Sequence, residues 1–197
     1  MPDFVAQGIG DRGVAPFGLA SIDGGSSYWH PRTSGEDRMS MLMTEFMPMI
    51  ERQYGLGAAG ARRAIMGWSM GGYGAILVAE RYPEVFCAVS AASPAIWQSY
   101  QEMLNAVGDA FDDGAQFAEF DMITQADALA GRPVRIDCGF SDPFYPNVKA
   151  FEAALPSKPQ GEFRPGCHTS DTWRWFAPGQ VASSRPRCRP RWVQRKP

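Results

Sequence analysis

The feature that most constrains the fold is a serine placed between a short apolar run and a glycine-rich, helix-compatible segment. The apolar run covers residues 64–68, Ser69 follows at once, and a helix is predicted over residues 73–81. Gly67 and Gly71 stand two positions before and after the serine, which gives the pattern Gly-x-Ser-x-Gly. A residue at the apex of so tight a turn has a strained backbone, and its neighbours must lack bulky side chains. The pattern therefore predicts a strand, a sharp turn and a helix, with the Ser69 hydroxyl raised clear of a sheet.

The helix after the turn adds a second chemical feature. The backbone N–H of Met70 opens this helix, where amide groups have no acceptor within the helix itself. Such an N–H can stabilise negative charge that develops beside Ser69. The segment therefore predicts a nucleophile with an oxyanion donor next to it. A glycine-rich turn that carries an idle serine is the alternative.

Apolar runs and helix-spaced patterns alternate along the rest of the chain. The predicted strands cover residues 17–22, 64–68, 85–91, 132–138 and 160–164. The predicted helices cover residues 3–9, 36–53, 73–81, 97–107, 116–129, 147–155 and 170–177. Because parallel neighbours need crossover connections, this alternation predicts an α/β fold with a mostly parallel sheet and helices on both faces. We expect one domain over residues 1–180 and a disordered, basic tail over residues 181–197.

Composition and charge exclude several classes of protein. The chain has 197 residues, 45% of them hydrophobic, and a net charge of −2, so it can bury a core and has no overall basic character. We expect no nucleic-acid partner and interpret the basic residues after position 184 as a frayed tail, with a patch for an anionic partner as the alternative. No apolar run reaches the roughly 18 residues of a membrane span. With two histidines and no Cys-x-x-Cys pair, no metal site is expected. The N-terminus lacks a signal-type apolar core, so at face value the protein is cytoplasmic.

A serine hydroxyl needs a general base, and the chain offers two histidines. His168 follows the last predicted strand, whereas His30 lies in an early loop. Asp142 follows the fourth predicted strand and can orient an imidazole, with Asp137 inside that strand as the alternative acid. Serine, acid and histidine then occur in the order found in α/β-hydrolases. We favour the set Ser69, Asp142 and His168, with His30 as a pocket-wall or structural residue.

Three segments resemble the putative-esterase family of serine hydrolases, which includes esterase D-type carboxylesterases and mycolyltransferase-type acyltransferases. They are residues 67–74, 138–144 and 166–168, and the loop at 23–32 belongs to the same similarity, which runs from Phe17 to Pro178. The resemblance implies an α/β-hydrolase fold, no cofactor, and acyl transfer through an acyl-serine. It carries the roles of nucleophile, acid, base and oxyanion donor onto Ser69, Asp142, His168 and Met70.

The chain departs from the family pattern ahead of Ser69. Family members have several strands before the one predicted at 17–22, and a loop after one of them supplies a second oxyanion N–H. The sequence therefore resembles an N-terminally truncated member with its early strands missing. A targeting signal would be lost with that part, which leaves an extracellular location open. Because loss of one oxyanion donor costs about a hundred- to a thousandfold in turnover, we expect a weak or inactive enzyme.

The preferred interpretation of the site is a serine carboxylic-ester hydrolase that acts on a small-molecule or lipid acyl ester. An acyltransferase on the same triad, in which an alcohol displaces water, is a close alternative. A truncated hydrolase with a binding role only is a further one. The candidate substrate-binding residues are Trp68, Tyr28, Trp29, His30 and Phe140.

Two cysteines, Cys138 and Cys167, flank the predicted acid and base at the ends of strands that we expect to be neighbours. Adjacent parallel strands place Cα atoms near disulfide distance, so a bridge is one expectation. Two free thiols are the other. A bridge would indicate an oxidising compartment.

Overall fold

The computed structural model describes residues 16–58 and 63–183, together with residues 3, 6 and 10. Its strands are β1 (Ala64–Trp68), β2 (Ala88–Ala92), β3 (Val134–Gly139) and β4 (Phe163–Arg164). Its α-helices are α1 (Arg38–Met41), α2 (Met47–Tyr54), α3 (Met70–Arg81), α4 (Tyr100–Val107), α5 (Gly114–Glu119), α6 (Tyr145–Ala154) and α7 (Ser170–Ser183). A π-helical turn, Leu42–Phe46, joins α1 to α2, and a 3₁₀ turn, Ala126–Leu129, precedes β3.

The four strands form a parallel sheet in the order β1, β2, β3, β4. Ala64 aligns with Ala88, and Val89 aligns with Val134, so the carboxyl ends of the strands meet at one edge. Open parallel sheets bind their ligands at this edge. The loops that follow β1, β3 and β4 therefore converge on the place where the sequence predicts the site.

Helices cover both faces of the sheet, as the alternation of elements predicts. The Ser90 hydroxyl in β2 accepts a hydrogen bond from Gln180 in α7. Val89 and Ala91 belong instead to the hydrophobic core that contains the buried side of α3. Because successive strand residues point to opposite faces, α3 and α7 lie on opposite sides of β2. All residues of β2 are buried, which is the arrangement expected of a continuous apolar strand.

The strand predicted at residues 17–22 is wrong. Residues 16–24 form no regular secondary structure, and Phe17 and Leu19 are each 39% exposed. A strand requires a backbone partner, and within the described residues β1 is an end strand that pairs with β2 only. The apolar run at 17–22 does not pair with the open edge of β1, so it forms no strand. The short helix predicted at 3–9 lies for the most part outside the described residues.

Most predicted helices shift by a few residues, and two differ more clearly from the structure. The helix predicted at 116–129 is divided into α5 and the 3₁₀ turn. The last helix continues to Ser183 instead of ending at residue 177, because Gln180 and Val181 are buried and keep it packed on the sheet. Three residues of the predicted tail are consequently helical, and the rest of that segment, 184–197, lies outside the described residues.

The disulfide considered between Cys138 and Cys167 is wrong, since both are free cysteines. Cys138 is buried in β3, where its partner across the ladder is Phe163. Cys167 lies beyond that register and is exposed. The parallel register therefore places the two cysteines at different positions along the strand direction. The second expectation, two unpaired thiols, is the one observed, although only Cys138 is buried.

Candidate active site

Ser69 lies at the turn between β1 and α3 in a conformation that only a tight turn imposes. Its φ is 53° and its ψ is −124°, a region that residues with a side chain rarely adopt. The Ser69 N–H donates to the Ala92 carbonyl at 3.0 Å, and its carbonyl accepts from the N–H groups of Tyr73 and Ala95 at 3.0 and 3.1 Å. These contacts with α3 and with the segment after β2 hold the strained backbone in place.

The two glycines of the motif are not equivalent. A Cβ at Gly67 would stand 2.0 Å from the carbonyl oxygen of Gly71, which is impossible without moving the backbone. A Cβ at Gly71 would meet nothing within 4 Å. The expectation that both positions must be small therefore holds for Gly67 and is wrong for Gly71. Close approach of strand and helix backbones, and not the turn alone, imposes the constraint.

Met70 is the first residue of α3, directly after the Ser69 cap. Its N–H has no acceptor within the helix, because the first turn of an α-helix leaves its amide groups unpaired. The helix dipole adds partial positive charge at the same end. This N–H therefore stands beside the hydroxyl in the place predicted for an oxyanion donor.

The structure brings Ser69, His168 and Asp142 together. Ser69 Oγ lies 2.8 Å from His168 Nε2, and His168 Nδ1 lies 2.9 Å from Asp142 Oδ2. Both distances are those of hydrogen bonds, and they connect the hydroxyl to the carboxylate through opposite nitrogens of one ring. The Asp142 side chain has no exposed surface, whereas that of His168 is 22% exposed. The arrangement can move a proton from the hydroxyl to the imidazole and stabilise the resulting charge.

Close contact between two backbone segments positions Asp142 and His168, the predicted acid and base. Hydrogen bonding continues past the ends of β3 and β4: the Phe140 N–H donates to the Arg164 carbonyl at 2.7 Å, and the Ser141 N–H donates to the Gly166 carbonyl at 3.0 Å. A Cβ at Gly139 would stand 2.2 Å from that same Gly166 oxygen. Glycine at the end of β3 thus lets the loops bearing Asp142 and His168 run side by side.

The environment of Asp142 favours its ionised form. Burial alone would raise the pKa of Asp142, but the hydrogen bonds from His168 and from the Phe144 N–H, together with the polar Ser93 side chain, hold it below its ordinary value. The Phe144 N–H donates to Asp142 Oδ1 at 2.9 Å, which leaves Oδ2 for the imidazole. A carboxylate held in this way fixes the tautomer and the orientation of the ring.

Asp137, the alternative acid, is engaged elsewhere. Both of its oxygens accept from the Arg135 guanidinium, at 2.7 and 2.8 Å, and Oδ1 also accepts from the Glu162 N–H at 2.9 Å. Burial raises the pKa of Asp137 to about 6, although these donors act to lower it. The contacts tie β3 to the segment before β4 and do not involve His168.

Aromatic rings pack around the imidazole, and sequence reasoning identified only part of this set. Phe144 lies 5.1 Å from the His168 ring, and Trp173 stands edge-on to it at 4.9 Å between ring centroids. Trp173 also packs on Trp68, whose Nε1 donates to Gln180 at 2.7 Å. Phe144 could have been found from its place two residues after the acid. Gln180 gave no signal, because it is far from Trp68 along the chain.

The other predicted pocket residues are mostly packing residues. Tyr28 and Trp29 are both buried and have positive φ values of 52° and 70°. Trp29 lies so close to α3 that a Cβ on Gly74 would stand 2.2 Å from it. Phe140 is half exposed and packs edge-on against Tyr145. Their roles in substrate binding stay predictions.

His30, the other histidine, is fully buried and stacked between two rings. The Phe111 ring is 4.3 Å away and the Phe120 ring 5.0 Å away, both nearly parallel to it. Its Nδ1 donates to the Pro31 carbonyl at 3.2 Å. Burial lowers the pKa of His30, which favours the neutral ring. These contacts indicate a structural residue, one of the two roles expected of it.

No cluster of three or more His, Cys, Asp or Glu side chains within residues 16–58 and 63–183 is arranged to hold a metal ion. Across the same part of the chain, none of the helices combines the length and the apolar character needed to cross a bilayer.

Several proteins of solved structure have the same fold. A ferulic acid esterase is 24% identical, with a TM-score of 0.64, and the match covers 80% of this chain and 64% of that one. An S-formylglutathione hydrolase from Agrobacterium tumefaciens is 22% identical, with a TM-score of 0.62 and coverage of 81% and 63%. MPT51 (FbpC1) of Mycobacterium tuberculosis is 17% identical, with a TM-score of 0.67 and coverage of 93% and 84%. The chain thus spans less than two thirds of the length of the first two proteins. At these identities the likeness establishes an α/β-hydrolase fold.

A family model, Esterase, described as "Putative esterase", matches residues 20–174, which include Ser69, Asp142 and His168. Since the match covers well over half of the chain and agrees with the fold, this protein belongs to the putative-esterase family of α/β-hydrolases.

Proposed function

We propose that the protein is a serine carboxylic-ester hydrolase that works through an acyl-serine intermediate. The observation that carries the proposal is the continuous hydrogen-bonded path from Ser69 Oγ through His168 to Asp142, with distances of 2.8 and 2.9 Å. Membership of the esterase family supports it. A small-molecule or lipid acyl ester is the substrate class that this chemistry requires.

The first half of the reaction forms the acyl-serine. His168 Nε2 accepts the proton of the Ser69 hydroxyl while Oγ attacks the ester carbonyl carbon. The carbonyl oxygen becomes an oxyanion, to which the Met70 N–H donates. The tetrahedral intermediate then collapses, the bond to the alcohol oxygen breaks, and the imidazolium returns the proton to that oxygen.

The second half repeats the same proton transfers with water. His168 takes a proton from a water molecule, whose oxygen attacks the acyl carbon. Collapse of the second tetrahedral intermediate releases the carboxylic acid and gives the proton back to Ser69 Oγ. Asp142 remains ionised throughout and stabilises the imidazolium in both halves. The rings of Phe144 and Trp173 restrict the imidazole to the orientation that both steps need.

Acyl transfer is the second candidate, because an alcohol can occupy the place of water in the second half. A binding role without turnover is the third. All three share the Ser69 hydroxyl and differ in what happens after it reacts.

The test is turnover of a p-nitrophenyl ester. The reaction is monitored by the release of nitrophenol, and the products are analysed with and without an added alcohol. A hydrolase releases one equivalent of nitrophenol quickly, then turns over and yields the free acid. An acyltransferase yields mainly the new ester when the alcohol is present. Acylation of Ser69 without turnover supports the binding role. Full turnover by Ser69→Ala would defeat the proposal.

A further inference from the structure

Ser93 is a buried residue that the mechanism above does not use. It follows β2 directly, has no exposed surface, and has a φ of 46°, in the left-handed region that residues with a side chain avoid. Its hydroxyl makes no close hydrogen bond within the described part of the chain. A buried hydroxyl without a partner and a strained backbone both cost free energy. Their coincidence at one residue indicates a role other than packing.

The position of Ser93 places it beside the acid. Its N–H donates to the Asp137 carbonyl at 2.7 Å, so it lies next to the end of β3, where the loop to Asp142 begins. Its side chain acts on two neighbours, Asp142 and the buried thiol of Cys138. Burial raises the pKa of Cys138 to about 12. Among the groups that lower this pKa, the Ser93 hydroxyl has the largest effect. It also lowers the pKa of Asp142.

Asp142 has room for a third donor. Its Oδ2 accepts from His168 and its Oδ1 accepts from the Phe144 N–H, while a carboxylate has about four lone-pair sites. The side chain is wholly buried, so it has no exposed surface through which bulk water could supply the remaining hydrogen bonds. A buried carboxylate stays ionised only when enough donors replace water.

We propose that Ser93 is a positioning residue for the triad, whose hydroxyl donates to the Asp142 carboxylate and so keeps it ionised and correctly oriented beside the His168 ring. The inference rests on the proposed function, because it acts through the acid of that triad. The hydroxyl is available for this bond, since it has no other hydrogen-bond partner in the described residues. Ser93 would not touch the substrate.

The test is the rate at which a fluorophosphonate labels Ser69, measured against pH for the wild type and for Ser93→Ala. Without the hydroxyl the carboxylate is less stabilised, so the Asp142–His168 pair takes up protons at higher pH. We expect labelling to slow by about tenfold at neutral pH and its acidic limb to move upward by about half a pH unit, as loss of one donor to a charged group implies.

Three further variants keep the result interpretable. Ser90→Ala removes another buried hydroxyl, in β2 just before Ser93, which accepts a hydrogen bond from Gln180; the acidic limb of this variant should not move. Ser93→Gly suits the positive φ and replaces Ser93→Ala if the latter does not fold. Cys138→Ala tests whether the hydroxyl acts through the thiol.

The outcomes separate the two proposals. The role of Ser93 is refuted if Ser93→Ala and Ser93→Gly both have the same acidic limb of the labelling rate as the wild type. It is also refuted if Cys138→Ala or Ser90→Ala moves that limb as far as Ser93→Ala does. In either case the proposed function stands. If the wild type is not labelled at Ser69 at any pH, the proposed function fails, and this inference fails with it.

Discussion

The proposed nucleophile and the proposed acid–base pair are held in place by different kinds of contact. Ser69 takes its position largely from one strand–turn–helix unit, in which Gly67 touches the backbone of Gly71. Asp142 and His168 meet because hydrogen bonding between β3 and β4 continues beyond the strands and because Gly139 lets the two loops approach. The first arrangement is local in sequence, whereas the second depends on sheet register. We therefore expect substitutions of Asp142 and His168 to lower mainly the rate, and substitutions in the strand–turn–helix unit around Ser69 to lower mainly the stability.

The largest expected effect is on the acid–base side. His168→Ala removes the group that accepts the Ser69 proton, so kcat for ester hydrolysis should fall by about 10⁶-fold or to the detection limit. The free energy of unfolding should change little, because the ring is partly exposed. Steady-state turnover and urea unfolding of the same preparation check both statements. A variant that kept more than a tenth of wild-type kcat would show that the base is another group.

The next largest expected effect on kcat comes from comparing substitutions of two aspartates, Asp142 and Asp137. Asp142→Asn should lower kcat by about 10⁴-fold, because an amide no longer stabilises the imidazolium or fixes its tautomer. Asp137→Asn is the matched control: it leaves the Arg135 guanidinium short of its buried partner and should cost about 3 to 5 kcal/mol of stability. Turnover and urea unfolding at pH 7.5 distinguish the two. The assignment of the acid is reversed if Asp137→Asn loses the rate and Asp142→Asn does not.

On the nucleophile side, the matched pair is Gly67→Ala and Gly71→Ala. The methyl group at position 67 would stand 2.0 Å from a backbone oxygen, and we expect a loss of about 3 kcal/mol in the free energy of unfolding from overpacking. At position 71 it meets open space within a helix, where replacing glycine should gain up to about 1 kcal/mol. Urea denaturation measures both. Equal losses at the two positions would show that the turn itself, and not the contact between backbones, imposes the constraint.

The smallest effect comes from a long-range contact away from the site. Arg32 donates to Asp112 at 2.8 Å, and the Thr33 N–H donates to the other oxygen of that carboxylate. Hydrogen bonds from Arg32 and from that N–H lower the pKa of Asp112 to about 2, from 3.8. A lowered carboxyl pKa contributes stability above pH 3.8, and this contribution is lost as the pH falls toward 2.

We therefore expect Asp112→Asn to be less stable than the wild type at pH 6 and equally stable near pH 2. Urea unfolding at a series of pH values tests this expectation. A stability difference that stays constant from pH 6 to pH 2 would mean that the contact acts through packing and not through charge.

Local pattern was enough to predict the elbow and most of the elements. β1 has the bounds predicted for it, and Ser69 lies where the motif puts it, because strand, turn and helix are specified by adjacent residues. His168 could be predicted as the base because it follows the last predicted strand and completes the chain order of serine, acid and histidine. Asp142 followed from the rule that ligands gather at the carboxyl edge of a parallel sheet.

What could not be predicted depends on partners that lie far apart in sequence. The run at 17–22 has strand-like composition, but composition does not reveal whether a strand is beside it. The contact between Gly139 and Gly166 and the buried bond from Trp68 to Gln180 likewise join segments that only the folded sheet brings together. The hydroxyl of Ser93 gave no signal, since Ser-Pro in a sequence indicates a turn and nothing more.

The most direct test of the central claim is mass spectrometry of the protein after reaction with a fluorophosphonate. The proton path from Ser69 to His168 predicts one adduct per chain, located on the peptide that contains Ser69, with labelling strongly slowed in His168→Ala and absent in Ser69→Ala. An adduct that persists in Ser69→Ala, or labelling of Ser69 at the same rate with and without His168, would contradict the claim.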